Sequence, residues 1–149
     1  MDPRYLHAAA ALLPAFVFLA ALLLMDSFKL VRPATVGAAL LYGAIAAKAC
    51  EPTHAFLLDL TGMDVHAFAR YVSPLTEEAV KAIFIAFLLW QRRVGFLVDA
   101  AVLGFAVGTG FAIVENMIYL RDLGQATLGL WVVRGLGTAI LHAATTAIV

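Results

Sequence analysis

Charged residues inside apolar segments are the feature of this sequence that could do chemistry. The stretch SPLTEEAVKAIFIAFLLW (Ser73–Trp90) places Glu77, Glu78 and Lys81 at the start of an otherwise apolar segment. Taking a carboxylate out of water is costly unless a partner or a proton compensates its charge. Paired carboxylates in such surroundings suit proton transfer. The stretch therefore indicates a reaction centre; an acidic first turn that complements the helix dipole is the alternative.

The apolar segments that follow carry further polar side chains. These are Asp99, Glu115, Asn116, Arg134, His142, Thr145 and Thr146. Adjacent residues of a helix diverge by about 100°, so Glu77 and Glu78 cannot aim at the same point. Residues three or four apart share a face, which pairs Lys81 with either glutamate. A carboxylate as deep in its segment as Glu115 is functional by default.

These residue types fit peptide hydrolysis, which needs an activated water, a proton shuttle and donors for the developing oxyanion. Glu77 or Glu78 can act first as the base and then as the acid. His142 can orient the water or bind a metal, and Asn116 or Thr146 can donate to the oxyanion. The first hypothesis is a membrane-embedded endopeptidase that acts on segments of membrane protein substrates.

The sequence leaves the question of a metal open. The ionisable groups of these segments are Glu77, Glu78, Asp99 and Glu115 against Lys81 and Arg134. A buried surplus of negative charge needs either a divalent cation or protons. Zinc would suit Glu78, Glu115 and His142 as ligands, although no HExxH is present. Zinc and a metal-free glutamate mechanism are equally compatible with this pattern, with Lys81, Asp99, Arg134 and Thr146 in supporting roles.

Composition places these residues in a membrane. The chain has 149 residues, of which 64% are hydrophobic and 13% charged, whereas a soluble domain is about 45–50% apolar and about 25% charged. The net charge is zero and there is no basic tract, which excludes nucleic acid as a partner. A single cysteine excludes an internal disulfide. We expect one multi-pass domain, residues 1–149, in the lipid bilayer of the cell membrane; the oligomeric state is not encoded in these features.

The apolar segments predict an all-α bundle of about five transmembrane helices. The predicted spans are Leu6–Met25, Ala34–Ala47, Glu77–Trp90, Phe96–Leu120 and Ala126–Val149. Between the second and third lies THAFLLDLTGMDVHAFARYVSP, which is too polar to cross alone and predicts an interfacial or re-entrant segment. The last apolar run reaches Val149 without a cap, so either its helix ends there or the chain belongs to a longer protein.

A stripe of small residues predicts close helix packing near Glu115. Ala100, Gly104, Gly108 and Ala112 recur at four-residue intervals, and such stripes let transmembrane backbones approach closely. We therefore expect a neighbouring helix to lie against this face.

Three segments of the sequence resemble the signature segments of PrsW-type intramembrane proteases, which belong to a superfamily with the CAAX-prenyl endoproteases. The segments are PLTEEAVK (Pro74–Lys81), GTGFAIVENMIY (Gly108–Tyr119) and RGLGTAILHAATTA (Arg134–Ala147). The resemblance covers residues 74–149 and implies intramembrane proteolysis. It also implies that the functional residues are Glu77, Glu78, Glu115, Asn116 and His142.

The sequence departs from the family pattern at the start of the fourth span. Asp99 is kept, but Phe96 stands where a glutamate is common and Ala100 where a glycine is common. This leaves a catalytically inactive membrane scaffold as one alternative. A proton-coupled transporter subunit is another, because intramembrane carboxylates and histidines also mark ion pathways; the sequence lacks the internal repeat that many transporters have.

The single-site hypothesis makes a geometric prediction. Glu78 and His142 must lie within about 8 Å of each other to share a water or a metal. We expect this only if Ala126–Val133 runs along the membrane interface and the last span begins near Arg134. The site is then shallow and opens to the outer face.

The basic loops give a testable topology. Lys29 and Arg32 lie between the first two spans, and Arg92 and Arg93 lie between the third and fourth. The positive-inside rule makes both loops cytoplasmic. Cysteines introduced by Val31→Cys and Arg93→Cys should therefore escape an impermeant thiol reagent applied from outside; labelling of both would reverse the assignment.

Overall fold

The apolar segments form helices, as predicted. The computed structural model describes residues 3–25, 31–92, 94, 96–122 and 126–148, and no strand occurs in these ranges. The helices are α1 (Pro3–Met25), α2 (Pro33–Thr61), α3 (Val65–Tyr71), α4 (Ser73–Trp90), α5 (Leu97–Asp122), α6 (Leu128–Val133) and α7 (Ala139–Ile148), with a π-helical segment, Arg134–Thr138, joining the last two. The predicted all-α class is confirmed.

Four helical runs are long and apolar enough to cross a membrane. They are Tyr5–Leu24, Pro33–Thr61, Leu97–Arg121 and Leu128–Ile148. The third predicted span, Glu77–Trp90, lies in α4, which is not among these four runs. α4 has 18 residues and carries Glu77, Glu78 and Lys81 in its first half. α4 packs against α2, α5 and α7.

The predicted end of the second span is wrong. α2 does not stop at Ala47 but continues to Thr61, a helix of 29 residues from Pro33. Pro52 removes one helical N–H, and the helix nevertheless continues through it without a break. Gly62 then ends the helix in the left-handed conformation (φ 59°), where its N–H caps Leu58 O. The first half of the predicted interfacial segment is therefore the end of α2, and α3 forms the rest.

α5 is the central helix of the bundle, with α2 and α7 packed along its length. α1, α4 and α7 run antiparallel to α5, and α2 runs parallel to it. The last residues of α1 and α4 and the first residues of α2 and α5 consequently lie at the same end, as the topology requires. Lys29 and Arg93 of the α1–α2 and α4–α5 connections lie outside the described residues, and the cytoplasmic assignment of this end stays a prediction.

Glycines let α7 touch the backbone of α5, as the small-residue stripe predicts. A Cβ added at Gly108 would strike the backbone of His142 and Ala143, and one at Gly104 would strike Thr146. The prediction of a closely packed neighbouring helix on this face is confirmed. The contact fixes the height of His142 relative to α5.

The predicted last span, Ala126–Val149, is confirmed, but the condition that it begins near Arg134 is wrong. The helical run begins at Leu128, not near Arg134, so His142 lies 14 residues into it, about 21 Å at 1.5 Å per residue. His142 still reaches α4 because α4 begins part-way down the bundle. The first residue of α4, Ser73, lies beside His54, which precedes the end of α2 at Thr61 by about 10 Å of helix.

The close contact at Gly108 gives a stability prediction. Gly108→Ala should lower the free energy of unfolding by about 1–3 kcal/mol, since the added methyl meets backbone that cannot move aside. Gly37→Ala is the matched control, because nothing lies within 4 Å of an added Cβ there and alanine favours a helix interior by about 0.5–1 kcal/mol. Thermal unfolding in detergent compares the two. Equal stability of the two variants would contradict the proposed backbone contact.

Candidate active site

A buried lysine joins α4 to α7. Lys81 is 0% exposed, and its Nζ donates to Glu78 Oε1 at 2.7 Å and to His142 Nδ1 at 2.8 Å. Nζ also lies 3.9 Å from the centre of the Phe111 ring, a cation–π contact. An ammonium group has no acceptor, so Nδ1 must be the accepting nitrogen. We therefore assign His142 as neutral, with its ring proton on Nε2.

The imidazole of His142 lies between two carboxylates. Glu78 Oε1 is 3.7 Å from Nδ1, and Glu115 Oε2 is 3.0 Å from Nε2. The predicted proximity of Glu78 and His142 is confirmed. Glu115 Oε2 makes no hydrogen bond of good geometry within the described part of the chain, so it remains available as an acceptor. Three helices, α4, α5 and α7, thus contribute to one cluster.

Arg134 lies on the other side of Glu115. Its Nη2 is 3.4 Å from Glu115 Oε1, and its Nε donates to Asn116 Oδ1 at 3.0 Å. The guanidinium carbon is 3.6 Å from the centre of the Tyr119 ring, so the group stacks as well as pairs. Arg134 is the first residue of the π-helical segment, and such turns are frequent at functional sites.

Asn116 holds Arg134 in place. Its side chain is buried (1% exposed), and its Nδ2 donates to the carbonyl oxygen of Ala11 in α1 at 2.8 Å. Both ends of the amide are therefore engaged, one by α1 and one by Arg134. Asn116 and Thr146, the predicted oxyanion donors, thus both have partners within the protein, since Thr146 Oγ1 donates to Glu78 Oε2 at 3.1 Å.

The central cluster is electrically neutral. It contains the carboxylates of Glu78 and Glu115 and the cations of Lys81 and Arg134. The negative surplus counted from the sequence comes from Glu77 and Asp99, which lie elsewhere. Asp99 is in the first turn of α5, about 24 Å along the helix from Glu115, and it makes no ion pair with Arg134. The sequence alone placed all these charges in one group because it gave no information on their height in the bundle.

Glu77 faces a separate space beside the cluster. It lines a cavity of about 360 Å³ whose walls are Ala47, Cys50, Glu51, His54, Ser73, Glu77, Phe111, Glu115, Ile118 and Tyr119. Ser73 Oγ donates to Glu77 Oε1 at 2.7 Å. Glu77 has no ion-pair partner within the described ranges. As predicted, the two adjacent glutamates aim at different points, and the carboxylate of Glu115 belongs to the cluster and also lines the cavity.

Sequence reasoning missed His54 and Ser73 as neighbours of Glu77. His54 Nδ1 lies 3.3 Å from Ser73 Oγ, and His54 Nε2 lies 2.7 Å from Thr76 Oγ1. His54 was placed outside the spans because the predicted second span ended at Ala47. Had α2 been continued, the four-residue spacing of Cys50 and His54 would have put both on one face.

The cluster has no three-ligand metal site. Among the side chains that the structure describes, no three from His, Cys, Asp and Glu converge on a point where they could hold a metal ion. Glu78 and Glu115 contact opposite nitrogens of His142, so the three predicted ligands cannot share one metal in this arrangement.

The position of Asn116 gives a second stability prediction. Asn116→Ala should destabilise the fold by about 1–3 kcal/mol, because it leaves the carbonyl of Ala11 and the guanidinium of Arg134 buried without this partner. Thr61→Ala is the control, since its hydroxyl bonds only its own helix and is exposed. Unfolding in detergent measures both; an Asn116→Ala variant as stable as the control would show that the amide does not tie α1 to α5.

Comparison with known proteins identifies the family of the chain. No curated protein and no solved structure matched the chain. A family model described as PrsW family intramembrane metalloprotease matches residues 2–149. That match extends over α1 and α2 as well as the three segments noted in the sequence, and the chain therefore belongs to the PrsW family of intramembrane metalloproteases.

Proposed function

We propose that the protein is an endopeptidase of the cell membrane that hydrolyses a peptide bond in or near the transmembrane segment of a membrane protein. The observation that carries this proposal is that Glu77 and Glu115, carboxylates from two helices, line one cavity while His142 contacts Glu115 from a third helix. Membership of the family supports the same reaction class. The cavity lies at the predicted outer end of the bundle, so substrates are cut near the outer ends of their transmembrane segments.

Glu77 is the general base in this proposal. Its carboxylate faces the cavity and accepts a single described hydrogen bond, from Ser73. Glu78, by contrast, has Lys81 on one oxygen and Thr146 on the other. A carboxylate that shares its charge with a cation is a weaker base, which favours Glu77 for removing the proton from water. Glu78 then acts by positioning Lys81 and His142.

The hydroxide formed at Glu77 attacks the carbonyl carbon of the peptide bond. The negative charge that develops on the carbonyl oxygen needs a nearby donor. Arg134 Nη2 lies beside Glu115 without a hydrogen-bond partner of its own among the described groups, so we assign this role to it. Glu77, now protonated, returns the proton to the leaving amine, which gives a new carboxylate and a new amine.

The metal implied by the family description does not fit the described residues. Its predicted ligands were Glu78, Glu115 and His142, but both ring nitrogens of His142 already face other groups, Lys81 on one side and Glu115 on the other. No step of this mechanism is therefore assigned to a metal.

Two other functions explain the site less well. A scaffold would need the paired charges of the central cluster but has no use for Glu77, which faces a cavity without an ion-pair partner in the described ranges. A transporter subunit would need a polar route across the bundle. The cavity at the other end of α4 is instead lined almost entirely by apolar side chains, from Ile85 to Ile148.

The two adjacent glutamates should be separable by substitution. Glu77→Gln should reduce cleavage by about 100-fold or more without lowering thermal stability. Glu78→Gln should reduce cleavage severely and also lower stability, because it leaves Lys81 as a buried charge without its carboxylate. The measurements are cleavage of a membrane protein substrate and thermal unfolding, both in detergent.

Asp59→Asn is the matched control for these variants. Asp59 is an exposed carboxylate on α2 outside the cavity, so both cleavage and stability should stay at the level of the unsubstituted protein. Full activity of Glu77→Gln would remove the proposed base, and identical stability losses in both glutamine variants would contradict the division of roles.

A further inference from the structure

We infer that the Lys81 ammonium serves as the resident cation of this site, in the position that a metal ion between Glu78 and His142 would take, and that the site functions without a bound metal. Nζ lies between Glu78 Oε1 and His142 Nδ1, at 2.7 Å and 2.8 Å. A metal that bridged the same two atoms would have to occupy this point. The statement about catalysis rests on the proposed function, whereas the statement about occupancy does not.

Charge balance supports this role for Lys81. The cluster holds two carboxylates, Glu78 and Glu115, and two cations, Lys81 and Arg134. A neutral His142 leaves the sum at zero. A divalent cation would add a buried surplus of positive charge, and buried charge without compensation is strongly unfavourable.

The surroundings of Lys81 give it no other position. The side chain is fully buried and its ammonium rests on the face of Phe111. A metal at this point would either expel Lys81 from its packing or force it to lose its proton. The second nitrogen of His142 offers no alternative. Among the described side chains only Glu115 is a possible ligand beside it, and zinc sites use at least three protein ligands.

Lys81 also determines which ring nitrogen of His142 carries the proton. Because the ammonium can only donate, Nδ1 must accept, and the ring proton is on Nε2 facing Glu115 Oε2 at 3.0 Å. Lys81 is therefore a positioning residue: it orients Glu78 and His142, and through His142 it orients the Glu115 carboxylate that lines the cavity.

The first experiment measures metal content and stability of the purified, unsubstituted protein. We expect far less than one zinc or other transition metal per chain, and an unfolding temperature that neither added zinc nor a chelator changes. One metal per chain that is lost in His142→Gln, together with a lower unfolding temperature after chelation, would overturn the inference. Metal that persists in His142→Gln lies elsewhere and leaves the inference supported.

These readouts do not depend on activity, so they separate two failures. Metal-free protein that cleaves no membrane substrate would count against the proposed function alone. Cleavage that is lost on chelation and restored by zinc, with zinc bound through His142, would count against the inference alone.

The second experiment reads the tautomer of His142 by nitrogen NMR, with the signal assigned by its loss in His142→Gln. The unsubstituted protein should show a protonated Nε2 and an unprotonated Nδ1. Lys81→Met should change this signal. Lys48→Met should not change it. Lys48 also pairs with a glutamate three residues away, Glu51, but on an exposed face.

The spectrum of the unsubstituted protein decides the question even if Lys81→Met does not fold. A proton on Nδ1, or a doubly protonated ring, would show that Lys81 does not donate to His142 and would overturn the positioning role.

Discussion

The contact of the Lys81 ammonium with Glu78 and His142 is the constraint on which the rest of the site depends. A fully buried lysine is tolerated only where carboxylate and neutral acceptors surround it, and here α4 and α7 supply them. The same contact sets the ring of His142, which faces Glu115 on α5. Glu115 in turn pairs with Arg134, and Asn116 holds Arg134 against α1. A chain of charge-assisted contacts thus links four helices.

Close backbone packing makes these contacts possible. Gly104 and Gly108 bring α7 onto α5, and Gly43 and Gly110 bring α2 onto its other side. α5 therefore lies in the middle of the bundle, with Glu115 and Asn116 near the end where the cavity opens. The paired charges stay inside the bundle, while Glu77 remains free to meet water. Structural and chemical roles are in this way divided between two neighbouring glutamates of α4.

Local patterns predicted most of the helices and the faces they share. The four-residue stripe predicted the α5–α7 contact, and the angle between adjacent residues separated Glu77 from Glu78. Two expectations were wrong: α2 continues through Pro52 to Thr61, and the last helical run starts at Leu128 and not near Arg134. The distribution of charge could not be predicted, because sequence spacing does not show that Asp99 lies far from Arg134 or that the Lys81 ammonium bridges Glu78 and His142. The roles assigned to the site residues stay predictions.

Proteolysis inside a membrane is the central claim, and newly formed peptide termini test it most directly. Membranes from cells that lack this protein would be incubated with the reconstituted protein in water enriched in oxygen-18, and new termini would be identified by mass spectrometry. The account predicts new termini near the outer ends of transmembrane segments, with one heavy oxygen in each new carboxylate, and none of them with Glu77→Gln. Equal sets of new termini from the unsubstituted protein and the Glu77→Gln variant, or no new termini from either, would contradict it.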